Sequence, residues 1–153
     1  MAVSAGRLER RADAVYDTPM RYEGGCHCGA IRLAFETEKP LAPRACQCAF
    51  CRRHAARSVS DPDGTAILTC AVEPSRYRFA SRSADYLICP RCGIYVGAMT
   101  ELEGRDLITI NLNAFDDPHP GLEGTPVSYE GEAAETKAAR RLGRWTPVRL
   151  ARR

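Results

Sequence analysis

The sequence lacks any long apolar run. Its first twenty residues contain no apolar stretch of the length that a secretory signal peptide requires, and no segment approaches the ~20 apolar residues of a membrane span. We therefore expect a cytoplasmic protein with no membrane partner. In that compartment thiols stay reduced, so cysteines hold metal or perform chemistry more often than they form disulfides.

The sequence also lacks a strong charge of either sign. The formal net charge is +3, and the 22 Lys and Arg residues are spread along the chain. Nothing in this pattern indicates a nucleic-acid partner. Hydrophobic residues make up 44% and charged residues 27%, which is ordinary for a globular protein.

The length of 153 residues favours a single domain. Residues 1–18 are polar, rich in arginine and without a clear period, which predicts a loose N-terminal arm or a marginal edge strand. Residues 19–153 contain no repeat, no low-complexity stretch and no linker, so we expect them to form one domain. A homodimer is compatible with this organisation.

Short apolar runs separated by turn residues predict a mainly β domain. The predicted strands lie at residues 30–35, 65–70, 76–80, 85–89, 94–99, 106–112 and 126–130. One helix is predicted at residues 131–142, ending at Gly143, and a short helical turn is predicted at 52–57.

The one unusual count is eight cysteines. Seven of them lie in short-spaced groups, Cys26-x-Cys28, Cys46-x-Cys48-x-x-Cys51 and Cys89-x-x-Cys92, and Cys70 stands alone. Cysteines one or two residues apart rarely bond to each other, because the disulfide geometry would be strained. They are well placed to direct two thiolates at one metal ion, so the spacing predicts metal, with zinc as the expected ion.

Two of the groups each supply half of a tetrahedral site. On an extended strand, Cys26 and Cys28 point to one face, and His27 between them points to the other. We therefore do not count His27 as a ligand. In the sequence CPRCG, Gly93 lets the chain turn while backbone N–H groups approach the sulfurs. Together Cys26, Cys28, Cys89 and Cys92 predict a closed four-cysteine structural zinc site.

The remaining group predicts a second, open site. Cys46, Cys48 and Cys51 can reach one ion from a single loop, which leaves the fourth position of a tetrahedral zinc free for substrate or water. One alternative stays open, in which Cys70 or His54 closes this site and makes it structural.

Basic residues crowd the second group. Arg44, Arg52, Arg53 and Arg57 are predicted to bind carboxylates of an anionic thiol substrate, although a solvated basic loop would have the same composition. The imidazole of His54 is the predicted group for proton transfer.

The three motifs, in order, resemble the glutathione-dependent formaldehyde-activating enzyme family. The resemblance rests on GGCHCGAIRLAF, CQCAFCRRH and YLICPRCGIYVGAM, and it runs from about Arg21 to about Glu132. It implies a β-tent of antiparallel sheets with two zinc ions. In that fold Cys26, Cys28, Cys89 and Cys92 hold the structural ion, and Cys46, Cys48 and Cys51 hold the catalytic one.

The resemblance further implies a carbon–sulfur lyase that condenses a small thiol such as glutathione with an aldehyde such as formaldehyde. The loop departs from the usual family pattern at Gln47 and Ala49 and again at 54–57, where a glycine is usual. These departures lie beside the expected catalytic ion and leave the particular thiol and aldehyde open.

Two other functions fit the same residues. The chain could be a non-catalytic zinc-stapled binding module, which requires a closed second site. It could also be a redox or metal sensor whose Cys46–Cys51 loop cycles between zinc-bound and disulfide forms. The binding module and the enzyme differ in the fourth ligand of the second site: a protein ligand there favours the binding module, and an open position favours the enzyme.

Overall fold

A computed structural model describes residues 18–119 and 121–152 of the chain. The N-terminal arm predicted at residues 1–18 therefore lies outside the described residues, except for Thr18. Within the described part, no helix is long and apolar enough to cross a membrane.

Strands dominate the described residues. The strands are β1 (Met20–Gly25), β2 (Ile31–Thr37), β3 (Arg44–Cys46), β4 (Ser58–Val59), β5 (Thr65–Cys70), β6 (Ser75–Tyr77), β7 (Asp85–Ile88), β8 (Tyr95–Leu102), β9 (Arg105–Asn111), β10 (Thr125–Val127) and β11 (Thr146–Arg152). Two α-helices, α1 (Ala49–Arg53) and α2 (Ala134–Arg144), and one 3₁₀ turn (Leu112–Ala114) accompany them. The predicted mainly β fold is confirmed.

The strands described here form one branched sheet. One path runs β1-β2-β5-β11-β9-β4-β3-β10, and a branch runs from β9 through β8 and β7 to β6. Most neighbours are antiparallel, but β11 runs parallel to β5 and β10 runs parallel to β3. Strand β11 thus joins the β1-β2-β5 part of the sheet to the part built on β9.

The apolar alternation seen in the sequence places the core. In β2 the buried apolar side chains are Ile31, Leu33 and Phe35, at 0%, 2% and 1% exposure, as the period of two requires. Strand β9 is buried from Leu107 to Asn111 without alternation, because it is covered on both faces.

Several predicted boundaries are wrong: the strand predicted at 126–130 is Thr125–Val127, the helix predicted from 131 begins at Ala134, and most other strands differ by one to three residues at an end. Three further differences have a local cause. The helix predicted to end at Gly143 includes that residue and ends at Arg144, because Gly143 is not in a left-handed conformation and the chain turns extended only at Trp145. Strand β6 ends at Tyr77 instead of residue 80, since Ala80 has a φ of 52°. The short helix begins at Ala49 instead of residue 52, because the thiol of Cys48 caps it.

Candidate functional site

The first cysteine group is gathered as a closed set of four sulfurs. The Sγ atoms of Cys26, Cys28, Cys89 and Cys92 all lie within 4.8 Å of one another. Cys28 Sγ is 3.6 Å from both Cys26 Sγ and Cys89 Sγ. Two sulfurs of a tetrahedral zinc site with Zn–S bonds of about 2.3 Å are about 3.8 Å apart, whereas disulfide sulfurs are about 2.0 Å apart. The separations therefore fit a metal and not a disulfide.

Two hairpin turns bring these four thiols together. Cys26 follows β1, where its backbone N–H donates to Ile31 O and its sulfur accepts from the N–H of Ile31 at 3.2 Å. Cys89 follows β7, and Gly93 closes the second turn with its N–H donating to Cys89 O at 2.9 Å. Gly93 has a φ of 77°, which a side chain would strain.

Backbone N–H groups and burial act on the protonation of this group in opposite directions. Hydrogen bonds from the backbone N–H groups of Cys28 and Ile94 lower the pKa of Cys92 to about 6. Burial raises the pKa of Cys89 to about 11. The N–H groups favour thiolates, which are the form that ligates metal, and a metal ion would offset the burial of Cys89. His27 is exposed and does not belong to the group.

The second cysteine group has three sulfurs. Cys46 ends β3, Cys48 is the N-cap of α1, and Cys51 lies in that helix. Their Sγ atoms are also within 4.8 Å of one another, and Cys48 Sγ accepts from the Cys51 N–H at 3.4 Å. The hydrogen bond with Cys51 lowers the pKa of Cys46 to about 6, and the same bond raises the pKa of Cys51.

Neither predicted alternative ligand joins this group. Cys70 ends β5 opposite Ile31 and packs against the main core, beside a different cavity. The ring of His54 packs 4.4 Å from that of Phe50, centroid to centroid. Among residues 18–119 and 121–152, no Cys, His, Asp or Glu side chain completes the set. The arrangement leaves one position of a tetrahedral ion free of protein ligands.

The three thiols lie in the wall of a cavity of about 740 Å³. Binding cavities for small molecules are commonly roughly 300–1,000 Å³. Tyr86 and Tyr95 pack against the thiols in this wall. Burial, together with the nearby thiols, raises the pKa of both phenols, so their hydroxyls stay protonated hydrogen-bond donors. Sequence reasoning did not find these two residues, because nothing in their spacing connects them to the cysteines.

The predicted basic residues divide into two sets. Arg44, Arg52 and Arg53 lie in the cavity wall, but Arg57 does not. The guanidinium of Arg57 instead donates to Leu122 O and Asn113 Oδ1, which is a structural role. Arg52 and Arg53 are exposed and donate to carbonyls of their own loop. The predicted proton-transfer residue, His54, is likewise outside the cavity wall.

Three cations in the wall come from α2 and were missed. They are Lys137, Arg140 and Arg141. Arg140 is paired with Glu132 and stacks over the ring of Tyr129. The spacing of three and four residues on a predicted helix places all three cations on one face, and this signal could have identified them.

Arg141 is the most buried of these cations, with 7% exposure. Its Nη1 donates to the carbonyl and hydroxyl oxygens of Ser83, but its buried Nε has no hydrogen-bond partner among the described residues. Burial lowers the pKa of Arg141 and of Arg44. In the described part of the chain, neither guanidinium forms a salt bridge with a carboxylate; their partners are hydroxyl and carbonyl oxygens. A buried cation without a countercharge is costly, so this wall suits a bound anion.

Known proteins similar to this chain cover the segment that carries both cysteine groups. The family model described as "Glutathione-dependent formaldehyde-activating enzyme" matches residues 21–126. A crystal structure of a Rhodobacter sphaeroides protein is similar to this chain, with 27% sequence identity and a TM-score of 0.54. The similarity covers 68% of this chain and 97% of that one. The family match contains both cysteine groups and ends before α2.

Proposed function

Because the chain belongs to the glutathione-dependent formaldehyde-activating enzyme family, we propose that it joins a small thiol of the glutathione kind to an aldehyde of the formaldehyde kind. The product is an S-hydroxyalkyl adduct, and the reverse reaction is that of a carbon–sulfur lyase. The observation that carries this proposal is the open set of Cys46, Cys48 and Cys51 in a cavity wall. A purely structural site would be expected to have four protein ligands.

The two cysteine groups fit zinc in different roles. Cys26, Cys28, Cys89 and Cys92 would hold a structural ion, since their sulfurs already have the separations of a four-thiolate site. Cys46, Cys48 and Cys51 would hold the second ion. Zinc bound there supplies a Lewis acid that keeps a substrate thiol in its thiolate form at neutral pH.

The cationic wall supports a thiol that carries carboxylates. Three thiolates and one divalent ion have a net charge near −1, which one guanidinium offsets. Among the described residues, Arg44 and Arg141 have no carboxylate partner. If one of them offsets the charge of the metal site, the other remains for a substrate carboxylate. Arg141 lies in the cavity wall, where a guanidinium is suited to bind a carboxylate. We therefore assign carboxylate binding to Arg141 and Arg44 ahead of the exposed Arg52 and Arg53.

The reaction needs a donor for the carbonyl oxygen. As the sulfur–carbon bond forms, the C=O π bond breaks, and the oxygen takes up the proton that the thiol has released. We assign the hydrogen bond to that oxygen to Tyr86, which lines the cavity, packs against the thiols and keeps a neutral hydroxyl, whereas the buried Tyr95 supports the loop. His54 packs on Phe50 outside the cavity wall, so proton transfer by His54 requires its ring to move.

The test is a thiol-dependent aldehyde assay on the zinc-loaded chain. We expect two zinc ions per chain and loss of formaldehyde in the presence of glutathione above the uncatalysed rate. Cys48→Ser should abolish that activity. Cys70→Ser is the matched control, because Cys70 lies outside both groups, and it should keep the activity.

Two results would contradict the proposal. Two bound zinc ions without any catalysed reaction for formaldehyde or other aldehydes would favour the non-catalytic binding module. Zinc release from the second group on mild oxidation, reversed by a reductant and accompanied by no catalysis, would favour the sensor.

A further inference from the structure

An aromatic wall lies beside the three thiols. Four of the six tyrosines and two of the four phenylalanines line the same cavity, and three of those tyrosines pack with the two phenylalanines. Phe50 is at the centre of this aromatic wall, with ring centroids 4.8–5.9 Å from those of its four partners, Tyr77, Phe79, Tyr86 and Tyr95. The wall joins the thiols directly, because Phe50 lies between Cys48 and Cys51 in the sequence.

The inner and outer parts of the aromatic wall differ in burial. Tyr95 is fully in the core at 3% exposure and supports the cysteine loop. Tyr77, in contrast, is 49% exposed, and Phe79 is only half-buried. Their rings stack 5.5 Å apart, and each also stacks with Phe50. The outer rings therefore present apolar surface to the cavity instead of completing the core.

The smallest substrates of the proposed reaction do not account for these outer rings. Formaldehyde has no apolar group, and glutathione has no aromatic ring. Aromatic rings bind other aromatic rings through stacked and edge-to-face contacts in addition to apolar burial. An aromatic wall next to the reacting thiol is thus suited to a ring on the aldehyde, while the cationic wall takes the anionic thiol.

We propose that the aldehyde used at this site carries an aromatic ring. The ring packs on Tyr77 and Phe79, while the aldehyde carbonyl lies beside the three cysteine thiols. This inference rests on the proposed function and narrows its substrate class. The chemistry is unchanged. The thiol S–H adds across the aldehyde C=O, one S–C bond forms, the π bond breaks, and the oxygen takes the proton, so that no oxidant or reductant is needed.

The test compares three aldehydes with glutathione on the zinc-loaded full chain. Phenylacetaldehyde carries the ring, acetaldehyde is its truncated form, and formaldehyde is the smallest substrate. We expect kcat/KM for phenylacetaldehyde to exceed that for acetaldehyde by about tenfold or more, from ring stacking and apolar burial together. Equal values for these two aldehydes would overturn the inference and leave the proposed function standing.

Substitutions separate ring binding from general damage. Phe79→Ala should lower kcat/KM for phenylacetaldehyde by about tenfold and leave formaldehyde within about twofold. Phe79→Leu keeps apolar volume without a ring, so its kcat/KM for phenylacetaldehyde should lie between those of the parent and of Phe79→Ala. Arg78→Ala is the control on the same segment, because Arg78 pairs with Asp85 outside this cavity. If Phe79→Ala slows all three aldehydes equally, Phe79 acts only on the fold and the inference is wrong.

A binding measurement tests the aromatic wall even if no aldehyde is turned over. If no aldehyde is turned over, the proposed function fails. Binding of 2-phenylethanol, an unreactive alcohol, is then measured by titration calorimetry in place of kcat/KM. Binding of 2-phenylethanol but not of ethanol, lost in Phe79→Ala and kept in Arg78→Ala, supports an aromatic site. No difference between the two alcohols overturns it.

Discussion

Substituting one cysteine from each group should separate stability from catalysis. Cys28→Ser breaks the four-sulfur set, which links positions 61 residues apart in the sequence through Cys28 and Cys89. Closing a loop of that length stabilises a chain by roughly 4 kcal/mol in the chain-entropy treatment of crosslinks. That is a large fraction of the roughly 5–15 kcal/mol by which domains are stable. We expect the melting temperature to fall by about 8–16 °C.

Cys48→Ser is the matched substitution in the other group. Cys46, Cys48 and Cys51 lie within six residues, so losing an ion there opens no long loop. Cys48 also caps α1 through its sulfur, and serine is a preferred N-cap residue. The free energy of unfolding should therefore change by less than about 1 kcal/mol.

The assay is urea unfolding at limiting zinc, with zinc counted per chain. Each variant should retain one ion where the parent retains two. Chelation of the parent should reduce its stability to that of Cys28→Ser and abolish activity, whereas Cys48→Ser should lose activity alone. Equal destabilisation by both substitutions would refute the assignment of one structural and one catalytic group.

Four further substitutions test separate parts of the structure. Arg141→Met should raise KM for glutathione by about 10- to 100-fold and leave 2-mercaptoethanol unaffected, with Arg53→Met as the exposed control; equal effects on both thiols would contradict carboxylate binding. Tyr86→Phe should lower kcat by about 100-fold with little change in KM, measured on the same thiol–aldehyde pair. Burial raises the pKa of Asp61, but hydrogen bonds from neighbouring lysine, threonine and backbone donors lower that pKa more, to below its ordinary value. The Asp61 carboxylate therefore stabilises the fold at neutral pH, and this stabilisation is lost as the pH falls through the lowered pKa. Asp61→Asn should cost about 1–3 kcal/mol at pH 7 in urea unfolding, and the difference from the parent should shrink below about pH 4; a constant difference would contradict the linkage. Gly25→Ala should destabilise the chain by about 1–3 kcal/mol in the same assay, since Gly25 has a φ of 147° and a Cβ there would lie 2.0 Å from a carbonyl oxygen.

Much of the architecture could be predicted from the sequence because its signals are local. Strand β2 follows from a period of two, and strand β5 has the predicted bounds of 65–70. The two cysteine groups follow from the short spacing of the cysteines, since neighbouring thiols on one turn reach the same point. These features depend on a few residues at a time.

The features that were missed depend on contacts between distant segments. Strand β11 contains Pro147 and two arginines, and its sequence alone does not indicate a strand between β5 and β9. The distance that separates Cys70 from the second cysteine group is likewise a property of the sheet and not of spacing. The position of α2 over the cavity, which brings Arg141 to the thiols' side, depends on the same long-range packing.

The position of β11 has a consequence for how the chain assembles. This strand follows all the others along the chain, yet it is the link in the sheet between β5 and β9. During synthesis, the β1-β2-β5 ladder and the β9 ladder must wait, each with an open edge, until residues 146–152 leave the ribosome. Contacts so distant in sequence slow folding, and open edges invite aggregation. Zinc taken up early by Cys26, Cys28, Cys89 and Cys92 would keep the two ladders together during that interval, so zinc supply should govern the yield of folded chain as well as its final stability.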